Sequence, residues 1–191
     1  MTEIQLIQVG KYFHPVRGGM ETHLYHLCQR FKEEYDLKVI VANTDVRTVN
    51  EVLEGVSVTR LANLGHVFSS PICPSFVYRL NGLIRGHNNL VHLHLPNPVA
   101  HLSYTIAKHH GKLIVTWHSD IVRQKFMLKL YKNKLLMLLD SADLIIATSP
   151  QYIESSPFLN CFRQKCAVVP HGVDCNHFKV NDLVKKNIQY S

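Results

Sequence analysis

Strand-length apolar runs alternate with helical patterns along nearly the whole chain, and that alternation leaves few folds open. The runs lie at 4–9, 37–42, 56–61, 90–95, 113–117, 144–147 and 167–169. Between them apolar residues recur at helical spacing: Met20, Leu24, Leu27, Cys28 and Phe31, then Phe76, Val77, Leu80, Leu83 and Ile84, then Val99, Leu102 and Ile106, then residues 126–139. Asn97 before Pro98, and Ser149 before Pro150, are N-cap and first-turn signatures. Strands apolar on both faces, separated by helices, predict an α/β fold: a parallel sheet with helices on both faces. A chain of 191 residues is expected to form a single domain around one core. The tail 179–191 is polar and reads as a frayed end or the start of something further.

Hydrophobic content of 46% and charged content of 18% exclude a disordered chain. No apolar run approaches the roughly 18 residues of a membrane span. The N-terminus enters a strand at once, without a signal-peptide pattern, which argues against export. Five scattered cysteines argue for reduced thiols, so a cytoplasmic setting is expected. The net charge of +7 favours an anionic partner, whether nucleotide, phospholipid or nucleic acid. No nucleic-acid-binding motif occurs and the aromatics are not interleaved with basic residues, so no nucleic-acid partner is expected. Residues 123–139 combine Arg123, Lys125, Lys129, Lys132 and Lys134 with large apolar side chains and no acid before Asp140. Two readings of that segment stay open: a basic amphipathic helix on an anionic membrane surface, or a sheet-covering helix with solvated lysines.

Ligands of an open parallel sheet bind beyond the carboxyl ends of its strands. Those ends carry Gly18-Gly19, Asn43-Thr44, His94 with Asn97, His118-Ser119-Asp120, Ser149 and His171-Gly172, a convergence that marks a site. The glycine pair opens a helix, where it either lets backbone N–H groups approach an anion or supplies a tight turn with glycine conformations. Glu21, in the first turn, suits the positive dipole end and can cap backbone donors. His118 closes a strand, and its imidazole can donate to a hydroxyl or accept a proton. A dinucleotide fold would need G-x-G-x-x-G after the first strand; only Gly10 stands there, although Asp45 follows the second. The P-loop pattern is absent too. Among the thirteen histidines, His92 and His94 share a strand face without a zinc spacing, and Cys161, Cys166, His171, Cys175 and His177 match no structural-zinc spacing. No metal is therefore expected. His23, His26, His109 and His110 fall on expected helices and read as surface or boundary residues.

Five segments, in order, resemble family 4 glycosyltransferases of the GT-B fold. Pro15-Val16-Arg17-Gly18-Gly19-Met20-Glu21 is similar to the family's Gly-Gly-x-Glu loop. His92-Leu93-His94-Leu95-Pro96-Asn97-Pro98, then Trp117-His118-Ser119-Asp120 with Arg123-Gln124-Lys125, then Ser141-Ala142-Asp143-Leu144-Ile145-Ile146-Ala147-Thr148-Ser149-Pro150 follow in register. Val169-Pro170-His171-Gly172-Val173-Asp174 with Phe178 looks like the family's exit from its first domain. The resemblance implies retaining transfer of a hexosyl group from a nucleotide sugar, with that co-substrate and no other cofactor or metal. It implies that Gly18 and Gly19 face the donor diphosphate, that His118 is the catalytic residue beside the donor sugar, and that Asn97, Asp120, Arg123 and Lys125 lie towards the acceptor. The implied acceptor is a glycan or a lipid-linked sugar, and the implied location is the cytoplasm or the cytoplasmic face of the membrane.

Family members carry a second Rossmann-like domain that holds the nucleotide, and this chain stops where that domain would begin. The expected organisation is the Rossmann-like acceptor-side domain over 1–178, half of a GT-B architecture, with the tail 179–191 at the position of the linker. Two functional readings stay open. One is a glycosyltransferase half completed by a donor domain on a partner chain; the other is a non-catalytic sugar- or lipid-binding remnant.

Overall fold

The computed structural model describes residues 4–67, 69–85, 89–107, 109–120 and 125–172, with the backbone alone over 125–130. In chain order β1 (Gln5–Val9) leads to α1 (Gly19–Phe31), β2 (Asp36–Ala42), β3 (Val49–Leu53) and β4 (Val56–Leu61). The short pair β5 (His66–Val67) and β6 (Ser70–Pro71) precedes α2 (Ser75–Leu83), β7 (Asn89–Leu95), α3 (Pro98–Ala107) and β8 (Lys112–Trp117). Then come α4 (Lys125–Ser141), β9 (Leu144–Ala147), α5 (Pro150–Ser155), a 3-10 turn (Leu159–Lys165) and β10 (Cys166–Val168). Eight strands form one sheet in the order β10-β9-β8-β7-β1-β2-β4-β3. Among the described residues its pairings are parallel except that of β3 with β4.

The β3 strand lies outside the expected alternation. It is the first arm of a hairpin, turned by Glu54 and Gly55 at φ 49° and 86°, the left-handed two-residue turn whose twist suits antiparallel strands. Val49 and Val52 are exposed on this edge, so the strand has little buried face for a hydrophobic pattern to report. Helix α1 holds the turn: Lys32 Nζ donates to Glu54 O at 2.9 Å and Tyr25 Oη to Glu54 Oε2 at 2.6 Å.

Each sheet face has its own core. Helices α2 to α5 close one, with Phe76, Leu80, Tyr104, Leu135, Leu139 and Ile153 packed over Val9, Leu93, Leu95 and Trp117. Helix α1 closes the other, with Leu24 and Cys28 over Leu6, Val39, Val41 and Val58. Burial of one such leucine contributes about 1.5–3 kcal/mol. In the described part of α4, Leu135, Leu138 and Leu139 are buried while Lys132 and Lys134 are exposed, so its apolar face is committed to the sheet. Among the described residues no helix is long and apolar enough to cross a membrane. Arg123, the Lys125 side chain, Asp174, Phe178 and the tail lie outside the described residues.

Apolar character on both faces fails at the centre of the sheet. The register sets Gln8 beside His92 and His94 beside Thr116, and these four side chains are buried. Because successive strand residues alternate faces, Leu93, Leu95 and Trp117 still serve the apolar core while their neighbours lay a polar strip across the face that α1 covers.

A buried arginine fixes the loop from β1 to α1. Arg60 on β4 donates to the carbonyls of Phe13, at 3.3 Å, and His14, while its Nε bonds Glu51 Oε1 at 2.6 Å. Phe13 itself is fully buried. Replacing Arg60 by Met keeps the stem and strips these acceptors of their partner, for an expected loss of about 2–3 kcal/mol. The urea midpoint should fall with an unchanged slope; an unchanged midpoint would show that Arg60 does not hold this loop.

Candidate active site

The loop that Arg60 clamps delivers Gly18 as the N-cap of α1. Neither glycine of the pair occupies the left-handed region: Gly18 has an extended φ of −178°, and the positive-φ glycines among the described residues are Gly55 and Gly65. The tight-turn reading is therefore corrected, since what matters at both positions is the missing side chain. A Cβ on Gly18 would lie 2.1 Å from Glu21 Oε2, whereas a Cβ on Gly19 would meet nothing within 4 Å. Gly18 makes room for the Glu21 carboxylate folded back over the helix start. Gly19 leaves the first turn open to solvent, where N–H groups without intrahelical partners and the positive dipole end face outwards.

That opening is one wall of a cleft of about 1290 Å³. Gly18, Gly19, His23 and Arg30 of the α1 side, His118 and Ser119 after β8, and residues 169–172 after β10 line it. Beneath it the polar strip is wired in series. His94 Nε2 donates to Gln8 Oε1 at 2.9 Å, and His94 Nδ1 lies 3.0 Å from His118 Nε2. His92 Nε2 lies 2.7 Å from Thr116 Oγ1. His118 stacks on His171, ring centroids 5.3 Å apart and 6° from parallel.

His23 is half-buried, as a boundary histidine should be, but it also joins the histidine cluster of the cleft, which the sequence reading did not expect. Its ring stands edge-on to His118 at 5.3 Å and to His171 at 4.4 Å, with Nδ1 3.0 Å from His171 Nδ1. The signal was available: His23 follows Gly19 at i+4 on a helix, which puts both on one side. His26 also lines the cleft and is exposed, as a surface residue. His109 lies beyond the end of α3 and bonds Tyr104 Oη and Asn89 Oδ1.

Burial dominates the electrostatics. Desolvation, aided by His23 and His171, pushes the His118 pKa down to about 3. Desolvation with His23 and His118 takes His92 to about 3, and desolvation with His171 and His26 takes His23 to about 4. His94 is held well below the ordinary range by burial and by its histidine neighbours. At neutral pH these rings are uncharged, each with one N–H and one lone pair. Among the described residues no three His, Cys, Asp or Glu side chains are arranged to hold a metal ion.

Residues 17–177 match the family model described as Glycosyltransferase Family 4. The chain belongs to this family. The family 4 chain is 29% identical over 173 residues to O-antigen chain mannosyltransferase C of Escherichia coli, covering 90% of itself and 46% of that protein. It is 29% identical over 164 residues to D-rhamnosyltransferase WbpZ of Pseudomonas aeruginosa, covering 85% and 43%. It thus spans less than half the length of these relatives. Among solved structures it is similar to sucrose-phosphate synthase from Thermosynechococcus elongatus, with TM-score 0.68, 14% identity, and 98% and 53% of the two chains covered. The Anabaena protein HepE in complex with UDP and glucose gives TM-score 0.59, 15% identity, and 97% and 50% covered. The fold is that of a GT-B Rossmann-like domain.

Two of the residues expected on the acceptor side of this family 4 domain brace its scaffold, and neither is among the residues lining the cleft. Asn97 is 2% exposed; its Oδ1 accepts from Ala100 N at 3.3 Å, capping α3. Asp120 Oδ1 accepts from Trp117 Nε1 at 3.0 Å and Ser156 Oγ at 2.8 Å, tying the His118 loop to the end of α5.

Stability should follow the neutral state of the buried histidines. Their folded pKa values lie below the ordinary 6.5, so the unfolded chain binds more protons below pH 6.5. The stabilisation is complete above that pH and is lost as pH falls towards 3. For His92 alone the slope approaches about 1.4 kcal/mol per pH unit within that window. The urea midpoint is expected to drop clearly from pH 7 to pH 5, and equal midpoints would show that the rings are not buried uncharged.

Proposed function

We propose that this chain is the acceptor-side half of a retaining glycosyltransferase that uses a nucleotide-sugar donor. The observation that carries the reading is the meeting of the glycine-opened start of α1 and His118 on one cleft at the carboxyl edge of the sheet. Gly18 and Gly19 face the donor diphosphate, whose charge grows as the anomeric bond breaks, and first-turn N–H groups stabilise that charge. His118 stands beside the donor sugar as the catalytic residue, bound to one of its hydroxyls. The acceptor, a glycan or a lipid-linked sugar, approaches from the side of Asn97, Asp120, Arg123 and Lys125. A donor domain supplies the opposite wall, and no metal or further cofactor is invoked.

The relatives support a hexosyl or deoxyhexosyl group, since they are named as mannosyl- and rhamnosyltransferases. HepE, solved with UDP and glucose and with UDP-glucose, supports a nucleotide sugar as donor. One relative is named as an O-antigen chain mannosyltransferase, which supports a glycan as the acceptor.

Calorimetry with a panel of nucleotide sugars, against the chain alone and mixed with a donor domain, tests the reading. Binding only in the mixture, followed by transfer, supports it; no binding in either would overturn it in favour of a non-catalytic module. In the two-domain enzyme His118→Ala is expected to lower kcat about 100-fold, and an unchanged rate would remove His118 from the site.

Gly19→Ala separates the anion-binding role from folding. Its methyl group enters open space, so the fold should be as stable as before or slightly more. Donor affinity should nevertheless fall about tenfold. Unchanged affinity would show that the diphosphate does not approach this turn.

A further inference from the structure

We propose that Gln8 and His94 are positioning residues that set the tautomer of His118, placing its proton on Nε2 and keeping the Nδ1 lone pair for the ligand. The inference rests on the reading of His118 as the residue beside the donor sugar and adds how its ring is prepared.

The assignment follows link by link from the inventory of donors and acceptors. With Gln8 Oε1 turned to His94 and Gln8 Nε2 left buried without a partner, the oxygen can only accept, so His94 Nε2, 2.9 Å away, carries a hydrogen; the opposite amide orientation would reverse every link. A neutral imidazole has one N–H, which makes His94 Nδ1 a lone pair. His118 Nε2 stands 3.0 Å from that nitrogen and must donate to it. His118 in turn has one N–H, so its Nδ1 is an acceptor. Each ring in the relay is uncharged at neutral pH, and two of the three members are sealed: Gln8 is 0% and His94 1% exposed. Solvent therefore cannot offer either of them a substitute partner. Gln8 lies on β1, between β2 and β7, and the orientation of its single amide sets the sense of the whole relay. The consequence for recognition is specific. His118 takes a hydrogen bond from a sugar hydroxyl instead of giving one, so an O-methylated sugar at that position loses the contact while the free hydroxyl keeps it.

The test is a two-bond proton–nitrogen correlation spectrum of the histidine-labelled full chain at pH 7.5. In the wild type His118 is expected as one tautomer, protonated at Nε2 and bare at Nδ1. His94→Asn, whose Oδ1 stands in for the Nδ1 lone pair, should keep that pattern. His94→Phe should lose it, leaving His118 divided between both tautomers, and Gln8→Leu should release His94 and His118 together. A wild-type His118 protonated at Nδ1 would overturn the proposal, as would a single unchanged tautomer in folded His94→Phe and Gln8→Leu chains. If His94→Phe fails to fold, the wild-type spectrum and Gln8→Leu still decide. The spectrum reads the proton whether or not sugar is transferred, so this failure is separable from an unaltered rate in His118→Ala.

Discussion

A buried imidazole is held uncharged and needs hydrogen-bond partners inside the protein, and the region around the cleft is built on that constraint. His92 and His94 sit in the middle of a sheet, where an unpaired polar group costs several kcal/mol. Their partners come from adjacent strands, Gln8 on β1 and Thr116 on β8, so the register of three strands is tied to the hydrogen bonding of two rings. A slip of one residue would turn the strip into the apolar core and the leucines towards α1. The same chain of contacts ends at His118, which links the centre of the fold to the floor of the site.

The sheet was largely legible because Val, Ile and Leu runs on parallel strands are hard to mistake for anything else. β3 was not, because an exposed edge strand with valines turned to solvent has no face pattern. His118 and the glycine pair could be read from their places at strand ends, yet the reason for the glycines could not: sequence offers backbone freedom as the default, and the structure shows Glu21 filling the space beside Gly18. His23 was legible in principle from its helical spacing and was missed because a helix histidine is usually a surface one. Gln8 and Arg60 gave no local signal. One is a lone amide inside an apolar run and the other a charge on a strand, and each gains its meaning from residues far along the chain.

The site is accordingly held by residues that do not line it. Arg60 sets the loop before α1 through two carbonyls, Asp120 pins the segment after β8 to α5, and Asn97 caps the helix after β7. Each acts at the carboxyl end of a different strand, so the positions of Gly18 and His118 relative to one another depend on packing against both sheet faces. Substitutions at such places move reacting groups without touching them, and a misplacement of about 1 Å is enough to cost about 100-fold in rate.

The cleft wall at Gly19 is exposed, and this sets the dielectric in which α1 acts. A unit charge at 4 Å from another is worth about 1 kcal/mol across water but about 4 kcal/mol at an effective constant of 20. The helix start therefore holds an anion weakly while water shares the space and several-fold more strongly once the water is excluded. Closure over this wall and the grip on the anion are for that reason thermodynamically linked: whatever covers the cleft raises the affinity for the anion, and the anion raises the affinity for the cover by the same factor.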